Sequence, residues 1–278
     1  MAELIPNPSE IIKEVKNALP QTVEAIDHAL STIANIGNTA LTPIEYLNAH
    51  AKHCMDKVKL KLQKELAGVE PEKIISPPPY IAVPTLTAAS YCVDCDELHD
   101  LFAKLLAKSM NSDTTYQAHP SFIEVIKQLS PFEARLIKLT NILYDNKASC
   151  IVRCQQKSKS VFFPYNTISP LFKSNTPGYD LFRCIAFFNE IDCQDYFMIN
   201  NAVENLNRLG LIHYDTNNVI SDISLYNVFA NKQIEEKLKN YVKELTGADL
   251  KENYEITLYP SMIQAMNYGI QFYNICVK

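Results

Sequence analysis

The sequence predicts a mainly α, α+β protein, with an N-terminal helical region followed by a winged-helix-like C-terminal region. Three observations lead there. Apolar residues recur at steps of three and four through most of residues 9–140, the period of an amphipathic helix. The run SCIVRC, 149–154, is short and β-branched, as strands are. A helical pattern of the form L-x-x-L-G-L-I, closing at Gly210, then runs straight into LIHYDTNNVIS, which alternates and holds the turn pair Asn217-Asn218. A helix feeding a hairpin is the order of a winged helix-turn-helix. The expected organisation is a helical region over 1–76, a second helical region over 77–130 and a winged-helix-like α+β region over 131–278.

Residues 9–36 read as one or two helices, capped by Ser9, interrupted at Pro20 and ended by Gly37 and Asn38. A longer helix follows from about Pro43 to Ala67, with Leu47, Ala51, Cys54, Val58, Leu62 and Leu66 as its apolar stripe. Lys52, Lys57, Lys59, Lys61 and Lys64 cover its other faces. Such a helix can lie on a membrane, but no large aromatic anchors the stripe, which favours a solvated bundle face. The prolines at 77–79 read as a rigid connector and Pro84 as the opening of a short helix. Leu98, Leu101, Phe102, Leu105 and Leu106 fall on one face of a helix over 95–110, with Asp94 as cap and Glu97 as its capping-box partner. HPSFIEVIKQL is helical with Pro120 first, and SPFEARLIKLT carries a full start signal in Ser130, Pro131 and Glu133. Residues 181–190 and 195–209 read as helices, and Lys232–Leu245 as a charged one.

The bulk numbers exclude more than they assign. With 47% apolar and 21% charged residues, the 278-residue chain can build a packed core. Net charge is −5: residues 1–118 hold 10 Lys+Arg against 15 Asp+Glu, and residues 119–278 hold 16 of each. Any basic surface is therefore local. The six glycines stand at 37, 68, 178, 210, 247 and 269, the nearest two 22 apart. Phosphate loops, dinucleotide fingerprints and nucleophile elbows need two within about seven residues, so no nucleotide is held through a Gly-rich loop. Two uncharged stretches invite a membrane test. Prolines break 74–93, and Gln264, Asn267, Gln271 and Asn274 dilute 256–277, which reads as a buried C-terminal element. The opening MAELIPNPSE has no apolar run, and eight dispersed cysteines suit reduced thiols in a cytoplasmic protein.

Three groups of residues are candidates for chemistry. Cys92, Cys95 and His99 could supply three zinc ligands, Cys95 and His99 sharing a helical face at i and i+4. A closed site needs a fourth, from Cys150/Cys154 or from His50/His53/Cys54. C-x-x-C also suits a redox pair, though the helix-start reading explains more of the neighbouring residues. Lys147, Arg153, Lys157 and Lys159, interleaved with Phe162 and Phe163, match what single-stranded nucleic acid prefers: cations for phosphates and rings for bases. Against DNA reading, residues 195–209 offer Asp195 and Glu204 against only Arg208. His119 opens H-P-x-F as a base or as a helix-entry residue.

PPPYIAVPTLTAASYCVDCDELHDLFAKLLAKSM, then HPSFIEVIKQLSPFEARLIK, resembles the Abi-alpha (abortive infection alpha) family. That pattern has a proline pair, a helix ending in A-A-S, acids opening an L-x-x-L-x-A-x-L-L helix, and H-P-x-F before a capped helix. NYGIQFYNIC resembles its closing G-x-x-F-x-x-x-C element. The match is strong over 77–138, weak before 70 and loose in the second half, and the two cysteines depart from the family's small or acidic residues. The resemblance implies bacterial phage defence and brings no catalytic residues and no cofactor. The expected role is non-enzymatic binding, as sensor or effector, toward a protein partner or a second copy. The alternatives are a nucleic-acid-binding winged-helix regulator and a membrane- or metal-dependent toxin.

Overall fold

The computed structural model describes residues 45–92, 95–156, 178–186, 195–229, 232–246 and 254–278, with positions 191 and 193. The helices read over 9–36 lie outside them. The chain is mainly helical and, among the described residues, carries one antiparallel sheet, an α+β protein. It divides into two compact units, one up to Arg135 with Gln271–Lys278, the other Leu136–Ile270.

The helical unit begins with α1, Glu45–Leu66. Cys54, Val58, Leu62 and Leu66 are at most 1% exposed, so the stripe read from spacing is the buried one. Next, α2 spans Pro79–Ser90 and places Pro84 in its interior, not at its start. The third proline of the 77–79 run takes the first helical position, where a missing N–H costs nothing. Pro84 has no N–H to give the carbonyl four residues back. Burial of Ile81, Ala82, Leu86 and Ala89 offsets that loss, and Thr85 and Thr87 return their hydroxyls to the Ile81 and Val83 carbonyls at 2.6 and 2.8 Å.

α3, Asp96–Ser109, carries the clearest apolar face, and Phe102, Leu105 and Leu106 are fully buried. Its N-cap residue is Cys95, with no side-chain cap bond, and the expected cap Asp94 lies outside the described residues. Asp96 and Glu97 still place negative charge at the positive end of the helix dipole. Helix α4 is Ser121–Lys127, and α5 is Pro131–Thr140. Before α5 the expected capping box forms: Ser130 N–H donates to Glu133 Oε2 at 2.6 Å, and Glu133 N–H to Ser130 Oγ at 3.2 Å. Ser130→Ala is expected to cost about 1 kcal/mol in urea unfolding. Phe102, Phe122, Phe272, Ile81, Ile123 and Met110 are among the largest fully buried side chains of this core.

In the α+β unit, β1 (Lys147–Gln156), β2 (Gly178–Ile185), β3 (Ile212–Asp215) and β4 (Tyr254–Ala265) order as β2-β1-β4-β3. The expected strand over 149–154 is therefore central. Residues 181–185 are strand, not helix: LFRCI pairs antiparallel with β1, and a short apolar run satisfies either period until its partner is known. The expected C-terminal element over 256–277 is β4, then α8, Asn267–Phe272, and a π turn over Tyr273–Val277.

Helix α6, Tyr196–Arg208, is capped by Asp195, whose carboxylate accepts from the amides of Phe197 and Met198. It ends at Gly210, whose φ is +72°. Gly210→Ala is expected to cost about 1–2 kcal/mol, because a Cβ is strained at that φ even in open space. The hairpin expected at Asn217-Asn218 does not form. β3 pairs with residues 262–265 of β4 instead. Asp215 Oδ1 accepts from the amides of Asn217 and Asn218, which closes an Asx turn and sends the chain into a 3-10 helix, Ile223–Phe229. The Tyr226 hydroxyl accepts from Ile220 N–H and donates to the Ser261 carbonyl at 2.8 Å, fixing that segment to β4. Tyr226 and Phe229 then join Cys150 with Ile234 and Leu238 of α7, Lys232–Thr246, in one apolar cluster.

Candidate functional site

The residues with chemistry concentrate where α1, the end of α2 and the start of α3 meet. Cys54 comes from the buried stripe of α1, Cys92 from just beyond α2, and Cys95 from the N-cap of α3. The Cys54 thiol donates to the Cys92 carbonyl at 3.6 Å, and the Cys92 thiol to the Ala88 carbonyl at 3.5 Å. Burial pushes the Cys92 thiol up to about 11, and the neighbouring Cys95 and Cys54 sulfurs push the same way. No described cysteine is in a disulfide.

A charged seam borders the thiols. Lys57 Nζ lies 3.1 Å from Asp96 Oδ1, and Lys61 pairs with Asp100 and donates to the Asp96 carbonyl at 3.2 Å. The hydrogen bond from Lys57 is the chief reason that the Asp96 carboxyl sits below its ordinary value. Two of the five lysines read as a basic helix face are thus matched by acids on α3. The signal was present in the sequence as Lys-x-x-x-Lys on one helix and Asp-x-x-x-Asp on another.

His99 is 0% exposed, and neither ring nitrogen has a hydrogen-bond partner. Asp96 Oδ1, the nearest acid, stands 3.8 Å from Nδ1, too far for a hydrogen bond. Burial chiefly, then the nearby Lys57, lower its proton affinity from the ordinary 6.5. The unfolded chain takes up a proton near 6.5 while the folded chain resists it. Stability is therefore expected to fall as pH drops below 6.5, and Asp96 adds a second loss only below its ordinary 3.8. Urea unfolding across this range checks it: His99→Leu should flatten the limb that starts near 6.5 and leave the more acid one.

Among the described residues, no group of three or more His, Cys, Asp or Glu is placed to hold a metal ion. Cys92, Cys95 and His99 share a neighbourhood without converging on one point. Of the candidate fourth ligands, Cys54 does come beside Cys92, whereas His53 is exposed and Cys150 lies in the apolar cluster of the other unit.

His119 is exposed, and its ring serves the helix that follows. Nδ1 accepts from Ser121 N–H at 3.1 Å and is 2.7 Å from Ser121 Oγ, while the ring meets Phe122 edge-on at 6.3 Å. That is a helix-entry role. Lys147 opens β1, half-buried. Arg153 lies in β1 in register with Asp180 of β2 and Thr257 of β4. Lys157, Lys159, Phe162 and Phe163 lie outside the described residues. Among the described residues, no helix is long and apolar enough to cross a membrane.

A family model described as abortive infection alpha matches residues 51–276. No curated protein and no solved structure matches the chain.

Proposed function

The chain belongs to the abortive infection alpha family, and from that premise we propose that it is a cytoplasmic bacterial phage-defence protein that acts by binding, as sensor or effector, without catalysing a reaction. The observation that carries this reading is a family match running over residues 51–276, through both compact units. The engagement of the candidate catalytic groups supports the non-enzymatic part. His119 spends Nδ1 on Ser121, Cys54 is 1% exposed and donates to a carbonyl, and the Cys92 thiol is held far above neutrality. A general base or nucleophile needs a reachable lone pair matched to the working pH.

The binding function is directed at protein. Ile223, Leu225 and Val228 are 57, 48 and 42% exposed along one 3-10 helix, where Leu225 and Val228 share a face, and uncharged apolar side chains of this kind suit the centre of an interface. Efficiency of plating on cells with and without the gene tests the defence role. The expected result is a reduction of at least about tenfold for some phages of a broad panel, and equal plating for all of them overturns it. Ile223→Asp with Val228→Asp is expected to abolish protection while leaving the melting temperature of the purified protein unchanged, since both side chains face solvent.

A further inference from the structure

We infer that His99 is a proton-operated latch on the seam between α1 and α3: once protonated it takes Asp96 from Lys57, so that a tie between two helices becomes a tie within one. Asp96 Oδ1 accepts from Lys57 Nζ at 3.1 Å and stands 3.8 Å from His99 Nδ1, so one carboxylate oxygen lies between two competing donors. Both nitrogens of the buried His99 ring lack a hydrogen-bond partner, so a proton added there has nothing to bond unless the ring reaches Asp96. Asp96 and His99 are i and i+3 on α3, neighbours on one helical face, and a small side-chain rotation closes the gap. The Lys57 side chain is 28% exposed, so the displaced ammonium swings into water.

The charges around the ring decide which cation yields. Lys57 and Lys61 act on it from α1 and Asp96 from α3 itself. Helix α2 carries no charged side chain, and the Cys92 thiol just beyond it is held neutral. With the ring neutral, two ammonium groups face two carboxylates, Asp96 and Asp100. A proton on His99 adds a third cation and no third acid. Lys61 keeps Asp100 and the Asp96 carbonyl, so the cation that yields is Lys57, whose acceptor is the oxygen within reach of His99. Burial and Lys57 both resist the proton, so uptake begins below the ordinary 6.5 and is eased as Lys57 leaves. The latch is therefore shut at neutral and alkaline pH and released in acid. Release is local: α1 stays tied at Lys61 and loosens one turn earlier, around Cys54 and Val58, which are 1% exposed while the latch is shut. The bond from the Cys54 thiol to the Cys92 carbonyl lies in that loosened turn. Acid thus uncovers one end of the buried α1 stripe and leaves Leu62 and Leu66 packed.

The test uses the full chain and two nuclear magnetic resonance measurements between about pH 5 and 8: titration of the His99 ring and amide hydrogen exchange along α1. Exchange of residues 54–58 is divided by that of residues 62–66 at each pH, so the pH dependence of the exchange chemistry cancels. The expected ratio is constant above about pH 7 and rises at least about threefold by about pH 5.5, within the ceiling of about tenfold per pH unit that one proton allows. Its rise should share the midpoint of the His99 titration, below the ordinary 6.5. Lys57→Met removes the competing donor, so it should raise that midpoint and give the high ratio already at neutral pH. His99→Gln cannot take the proton, and its ratio should stay flat. A wild-type ratio that does not change with pH overturns the inference. So does a rise that survives in His99→Gln, or a His99 midpoint that Lys57→Met leaves unmoved. Lys57→Met keeps the aliphatic stem at a partly exposed position, so the test stands even where the buried His99→Gln substitution prevents folding.

Discussion

Gly269→Ala is expected to destabilise the α+β unit by about 3 kcal/mol or more in urea unfolding. A Cβ at this position would overlap the Leu211 carbonyl oxygen and stand 2.8 Å from the Leu211 carbonyl carbon and 3.1 Å from its Cα. These are backbone atoms, so no rotamer change relieves the contact. The Leu211 carbonyl cannot simply retreat. It accepts the Met266 amide at 3.1 Å, at the point where β4 gives way to α8. Two other glycines calibrate the measurement. A Cβ on Gly68 meets nothing within 4 Å and Gly68 has an ordinary φ, so Gly68→Ala should be neutral or slightly stabilising. Gly210→Ala meets nothing either but carries the φ penalty alone. The graded order Gly68, Gly210, Gly269 separates chain entropy, backbone strain and steric overlap. Equal effects at the three positions would refute the assignment of a close backbone approach at Gly269.

What the sequence disclosed followed the range of the interactions involved. The Ser130–Glu133 capping box is complete within four residues, and it forms as read. The α1 stripe through Cys54, Val58, Leu62 and Leu66 is likewise local, since helical geometry alone puts those residues on one face. β2 was misread because LFRCI is apolar at both periods, and only its register with β1 makes it a strand. Asn217-Asn218 looked like a hairpin turn, but Asp215 two residues earlier captures both amides, and β3 finds a partner nearly fifty residues downstream. Cys54 and Cys92 stand 38 positions apart, and neither sequence pattern announces the other. The charged seam was half legible: the lysines of α1 were visible, but not that Asp96 and Asp100 would answer them. The closing G-x-x-F-x-x-x-C element was legible as a pattern and opaque in its reasons. Gly269 is required by Leu211 in the α+β unit, while Phe272 and Cys276 are both 0% exposed in the helical unit.

The phenylalanine of that element makes the strongest claim on stability. Phe272 and Phe122 meet edge to face, with centroids 5.6 Å apart and planes at 77°. They are 0 and 1% exposed, so each ring is surrounded, and truncating either opens a void in the core of the helical unit. Phe272→Ala and Phe122→Ala are each expected to cost about 3–5 kcal/mol, the range in which lost transfer energy and an unfilled cavity add. A domain of ordinary stability has about 5–15 kcal/mol in all, so either variant should lower the urea midpoint sharply or abolish folding at 37 °C. Phe272→Leu keeps most of the buried area and should cost about 1–2 kcal/mol, which keeps the measurement accessible if alanine proves too severe. The double alanine variant should lose about 0.5–1.5 kcal/mol less than the sum of the singles, because the ring–ring contact is then counted once. Lys104 reaches the same C-terminal segment, donating to the Val277 carbonyl at 2.6 Å, at the end of the π turn where a cation suits the unpaired carbonyls. Lys104→Met keeps the aliphatic stem and removes only that charge-assisted bond, so its cost should be about 1–2 kcal/mol and should add to that of Phe122→Ala. Full additivity between Phe122 and Phe272, with a cost below about 1 kcal/mol for each, would mean that the C-terminal segment does not complete this core.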